Sequence, residues 1–135
     1  MPIIKIKNSA IRCILGFPKY TRTTPLYKSL GLLKFQDINK YTLTNFMYKY
    51  HMKTLPSIFL NYFQLNGDIH NYNTHQRNKL HVPRFKSTIG QMSFYSNSIH
   101  HWNTIGLILL ESCNFHLIPY IFKKRLKHFL LYPTN

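Results

Sequence analysis

The sequence predicts a mainly α fold, a small helical domain with a short β-hairpin insertion, and three observations carry that expectation. Apolar residues recur at helical spacing in several stretches, Pro and Gly stand where those stretches start and stop, and one loop-rich region interrupts them with short alternating runs. At 135 residues and 44% hydrophobic, the chain suffices for one core and is too short for two comfortable ones. A single domain over 1–135 is expected, with a helical part over 1–63, loop and hairpin over 64–95, and closing helices over 96–135.

The first helix is expected over 3–15, where Ile3, Ile4, Ile11, Ile14 and Leu15 supply the apolar positions and Gly16 with Pro18 supplies the stop. Thr24 before Pro25 reads as an N-cap with proline at the first helical position, and Gly31 closes a short helix over 26–30. Asp37 is expected to cap the longest helix, which runs to about Lys53 before Pro56. Leu43, Phe46, Met47 and Tyr50 form one stripe of that helix, and Ile38, Tyr41, Tyr48 and Met52 form a second on its other side. A helix apolar on two faces needs neighbours on two sides, so exposed apolar surface and self-association are expected.

Pro56 opens a further short helix over 57–63, and Leu65-Asn66-Gly67-Asp68 is the strongest turn signal present. The segments 81–86 and 92–95 alternate as two short strands around Gly90, with Pro83 confining the first to an edge. A helical turn around Ile99 to Trp102, another over 107–111 and an amphipathic helix over 117–131 complete the order. That last helix has Ile118, Ile121, Phe122, Leu126 and Phe129 on one face and Lys123, Lys124 and Lys127 opposite.

Charge narrows the function. Eighteen Lys and Arg stand against three acids, Asp37, Asp68 and Glu111, for a formal net charge of +15. A field of one sign repels itself and is relieved by phosphates, so RNA and DNA, bound through the phosphate backbone, are the expected partners. Two-metal phosphoryl chemistry needs clustered carboxylates, and the three acids here are widely scattered, so no enzyme activity is expected. The candidate phosphate contacts are Arg12, Lys19, Arg22 and Lys28 near helix ends in the first third, Arg77, Lys79, Arg84 and Lys86 in the loop and edge strand, and Lys123, Lys124, Arg125 and Lys127 in the last helix. Tyr72 and Trp102 are candidates for base stacking, although a lone Trp beside a helical turn is more often core.

Other chemistries lack their residues. Cys113 and His116 form half a zinc site without a matching second pair, so no metal and no cofactor are implied. Cys13 and Cys113 read as reduced, buried thiols, and Gly16, Gly31, Gly67, Gly90 and Gly106 are isolated rather than gathered in a phosphate loop. The N-terminus alternates Ile and Lys without the apolar core of a signal peptide. The most apolar window, 105–122, is interrupted by Glu111, Asn114, His116 and Pro119, residues that a bilayer makes expensive. An intracellular setting, nuclear or cytoplasmic, with no membrane partner follows.

The run 8–16 (Asn-Ser-Ala-Ile-Arg-Cys-Ile-Leu-Gly), then 20–27 (Tyr-Thr-Arg-Thr-Thr-Pro-Leu-Tyr) and 30–34 (Leu-Gly-Leu-Leu-Lys), resembles the region after the polymerase palm of non-LTR retrotransposon (LINE, jockey-like) reverse transcriptases. Phe46 to His51 with Leu55-Pro56, His70 to Thr74, Trp102-Asn103 and Phe122 to Lys127 resemble later segments of that family in the same order. His75 stands where the family usually has Arg, and Ile105-Gly106 where it usually has a Leu-Pro step; the first removes a phosphate contact and the second loosens a turn. The resemblance implies a thumb and C-terminal extension that grips template–primer or element RNA, without the palm and its metal-binding aspartates, which would be the missing partner. A small basic assembly protein of the organellar ribosomal type, or an inert remnant of a mobile element, shares the charge and composition.

Overall fold

The computed structural model describes residues 2–112 and 119–133. The chain is mainly α-helical. Its elements are α1 (Pro2–Ile14), α2 (Thr23–Ser29), α3 (Phe35–His51), a 3₁₀ turn (Ser57–Phe59), α4 (Asn66–Ile69), α5 (Thr88–Gln91), α6 (Phe94–His101), a π-helical turn (Trp102–Gly106), α7 (Leu107–Glu111) and α8 (Pro119–Leu131).

Helix ends follow from local chemistry. After α1 the amides of Gly16 and Phe17 donate to the Cys13 and Arg12 carbonyls, and after α2 those of Gly31 and Leu32 donate to Lys28 and Tyr27. Both are Schellman caps, with glycine in the left-handed conformation (φ 68° and 61°). The end of α3 has the same pattern, Lys53 to Tyr50 and Thr54 to Lys49, yet its left-handed residue is Lys53 at φ 54°. Helix starts differ by one to three residues from the expectation. Arg22 and Lys34 occupy the N-cap positions of α2 and α3 without side-chain caps, so Thr24 lies inside the first turn of α2 and Asp37 inside that of α3.

The expected β-hairpin is absent from the described residues. Residues 81–86 are irregular, and the region's β feature is one antiparallel bridge between Leu65 and Leu80. Serine caps decide the outcome: Ser87 Oγ accepts from the Gly90 amide at 3.2 Å to start α5, and Ser93 Oγ accepts from the Ser96 amide at 3.3 Å to start α6. Alternation over four residues did not reveal those caps. The helix expected over 57–63 contracts to the 3₁₀ turn, and the Leu65–Asp68 turn becomes the single-turn helix α4. Cys13, expected to be buried, is an exposed thiol on α1, and the Cys113–His116 half-site and the start of the last helix at 117–118 lie outside the described residues.

Two cores form. The main one gathers Met47, Tyr48, Phe63, Leu80, Ile99, Trp102, Ile105, Leu109, Phe122 and Leu126; a smaller one joins Ile11 of α1 to Leu26 and Tyr27 of α2. α3 packs against α6, the π turn and α8. Both stripes of α3 are therefore used in part: Leu43 and Met47 are buried, and Tyr48 is buried too, its ring stacked 4.1 Å from that of Phe122. The surface expected around Tyr48 is covered, while Ile38 and Met52 remain exposed.

The helix is continuous in conformation through 94–111 and widens to π geometry at Trp102–Gly106, where the Leu107 amide donates to the Trp102 carbonyl. The indole lies directly over Gly106. A Cβ there would approach its ring carbon to 2.2 Å, so the absence of a side chain at 106 is what seats Trp102 in the core. Trp102 is 3% exposed and cannot offer its face to a base.

Candidate nucleic-acid interface

The basic residues fall into three groups that the fold treats differently. In the first, Arg12 is half-buried and its Nε donates to the Thr21 carbonyl at 2.9 Å, holding the loop that carries exposed Lys19 and Arg22. Lys28, exposed at the end of α2, places Nζ 5.5 Å from the ring centre of Tyr132, just beyond α8. The N-terminal group and the last helix thus meet.

On α8, Phe122 and Leu126 are fully buried against α3 and Phe129 is partly buried, while Lys123, Lys124 and Lys127 point outward, as the sequence predicts; Ile121, expected on the buried face, is exposed, and Ile118 lies outside the described residues. Arg125 is exposed as well and has an interaction of its own.

The loop group is pinned by its backbone. The carbonyls of Arg77 and Lys79 accept from the Gly67 and Asn66 amides at 3.0 and 2.9 Å. The Arg77 side chain crosses Gly67 so closely that a Cβ there would meet Arg77 Cγ at 2.6 Å, and a larger residue at 67 would displace that side chain. Arg84 and Lys86 are exposed on the irregular segment, beside Phe85, whose ring packs against Gly90. Tyr72 is 79% exposed in the adjoining loop and keeps its face free for a base.

The sequence did not single out Lys34 and Lys40. Six positions apart on α3 and its N-cap, they join Lys28 around a groove of about 330 Å³ between α2, α3 and the end of α8, floored by Leu32, Ile105 and Phe129. No run of charge marks them; folding alone brings them together.

Acidic residues do little to neutralise these cations. Asp37 pairs locally with Lys40 at 3.4 Å, and Asp68 Oδ2 accepts from the Leu65 amide at 3.3 Å. Among the described residues no three His, Cys, Asp or Glu side chains form a metal-holding group, and no helix is long and apolar enough to cross a membrane. Burial lowers the pKa of His51, beside Trp102, and that of His101, to which the charges of His100 and Lys40 add.

Comparisons with family models, curated proteins and solved structures find no match for this chain.

Proposed function

We propose that the chain is a non-catalytic nucleic-acid-binding unit that grips RNA or DNA through the phosphate backbone, in the manner of the thumb and C-terminal region of the retrotransposon reverse transcriptases it resembles. The observation that carries this reading is the set of exposed ammonium groups that, among the described residues, have no acidic partner: Lys123, Lys124 and Lys127 on one face of α8, and Lys28 and Lys34 at the neighbouring groove, where Asp37 takes up Lys40. Each can neutralise a phosphate and release a counterion, and none is shaped to read a base edge. Two of the three acids are engaged in local contacts, which argues against a paired-metal centre. A polymerase palm would meet the residual apolar surface at Ile38 and Met52, and an intracellular setting, nuclear or cytoplasmic, goes with this reading.

One observation favours a structural component assembled on RNA instead. Ile3, Ile6 and Ile14 give α1 an outward apolar face in addition to the one that packs on α2. Fluorescence anisotropy with unrelated single- and double-stranded sequences tests the main reading. Similar affinity for different sequences within the single strands and within the duplexes, with no primer extension in Mg²⁺ or Mn²⁺ above a buffer control, supports it; strong preference for one folded RNA supports the assembly protein.

A further inference from the structure

A cavity of about 530 Å³ opens between the end of α3, the segment 60–68 and the strand-like stretch 78–80, within the range typical of small-molecule sites. Its floor is apolar, formed by the small exposed parts of Phe63, Leu80 and Trp102, which are otherwise buried in the main core, so no indole face is offered for stacking. Leu60 and Leu65 at its edge are 51% and 40% exposed, apolar surface that the core leaves uncovered.

The walls are held by side chains bonded to main chain. The Tyr50 hydroxyl contacts the Leu60 and Phe63 carbonyls at 3.1 and 3.2 Å, the Asn103 amide holds Leu80, and Asp68 holds Leu65. Such a cavity is largely formed before anything enters it.

Two of its polar lining groups, the Tyr50 hydroxyl and the Asp68 carboxylate, are taken up by main chain, while two side-chain amides are unused. Among the described residues the side-chain amides of Asn61 and Asn78 make no hydrogen bond, and each offers the adjacent donor and acceptor that match a base edge. Lys53 also lines the cavity, in a left-handed conformation that costs a non-glycine residue strain at the end of α3. Arg77 and Lys79 flank Asn78 in the chain. An apolar floor for a planar ring, amides for its edge and the Lys53 cation for the adjoining backbone coincide here, and Asp68, the acid in the lining, is engaged with the Leu65 amide.

We propose that this cavity receives one unstacked nucleobase of a single-stranded nucleic acid, with Asn61 and Asn78 facing its edge and Lys53 its adjoining phosphate. The proposal rests on the phosphate-binding reading and adds a preference that reading lacks. A base in a duplex is held inside the stack, so only a single strand, a loop or a frayed end can enter.

The chain has one tryptophan, Trp102, and it lines this cavity, so its emission reports occupancy. The full chain is titrated with a short oligodeoxyadenylate, an abasic strand of the same length and adenosine monophosphate. The oligodeoxyadenylate is expected to change Trp102 emission and to bind about fivefold or more tighter than the abasic strand, with the same salt slope, because both carry the same phosphates. Asn61→Phe, which fills the mouth from an exposed position, is expected to remove the difference and leave the slope; Asn78→Ala serves the same purpose if that variant misfolds by circular dichroism. Equal affinity for both strands without an emission change would overturn the base site and leave the phosphate reading standing. An emission response to the mononucleotide with no strand binding would overturn both the single-strand proposal and the phosphate reading. No response to any adenylate overturns the cavity as a base site.

Discussion

The side-chain amide of Asn103 grips the main chain of Leu80 on both of its polar groups: Oδ1 accepts from the Leu80 amide at 3.0 Å and Nδ2 donates to the Leu80 carbonyl at 2.8 Å. Leu80 is buried in the main core and bridges to Leu65, so one side chain of the π turn fixes the whole 64–80 segment on the helices. Asn103→Ala is expected to lower stability in urea unfolding by about 1–3 kcal/mol, because both polar groups of Leu80 lose their partner in a part-buried site. Asn103→Asp keeps the acceptor but sets a carboxylate against the Leu80 carbonyl, and should be no more stable than the alanine variant.

Gly106→Ala tests the seat of Trp102. The added methyl would sit 2.2 Å from the indole, so the ring or the helix must move. Overpacking of this kind costs about 1–3 kcal/mol and should shift Trp102 emission to longer wavelength as the ring gains water. Parent-like stability with unchanged emission would show that the π turn does not need glycine.

Much of this was legible in the sequence. Gly16 and Gly31 announced two helix ends because a left-handed Schellman residue is nearly always glycine, whereas Lys53 fills the same role at the end of α3 with no glycine to mark it. The lysine row of α8 was readable because Phe122 and Leu126 are spaced as a helix face, but Lys34 and Lys40 were not, since only folding sets them beside Lys28. The hairpin misreading has a local cause: alternation over four residues fits a strand and a serine-capped turn equally, and here Ser87 and Ser93 cap.

Lys53→Gly separates strain from charge. Removing the left-handed strain outweighs the entropy glycine adds to the unfolded chain, so the variant should be about 0.5–1 kcal/mol more stable in denaturant titration. Lys53→Ala loses the charge and keeps the strain. It should show no such gain, and equal gains for both would remove strain as the explanation.

Acid should destabilise the fold. Burial holds His101 below the ordinary imidazole value of 6.5, with His100 and Lys40 adding to the shift; His51 shifts the same way, but it is exposed at the end of α3 and solvent screens its contribution. The folded chain then binds fewer protons than the unfolded one, so this contribution is fully present above pH 6.5 and is lost as pH falls through the interval below it. Thermal unfolding followed from about pH 8 to about pH 5 should show a falling Tm, and His101→Gln should lessen the fall. A His101→Gln variant with the parent's full acid sensitivity would contradict the assignment to that ring.

The central claim, that surface cations bind phosphates without reading sequence, is tested most directly by the salt dependence of affinity. Each neutralised phosphate contributes a log–log slope of about −0.7 on single strands and about −0.9 on duplex, so several contacts should sum to about −3 or steeper. Replacing Lys123, Lys124 and Lys127 together by Ala should flatten that slope on every sequence tested, since these side chains point outward from a helix whose buried face is unchanged. Affinity that is the same at low and high salt, or a triple variant that keeps its slope while losing preference for one sequence, would contradict the account.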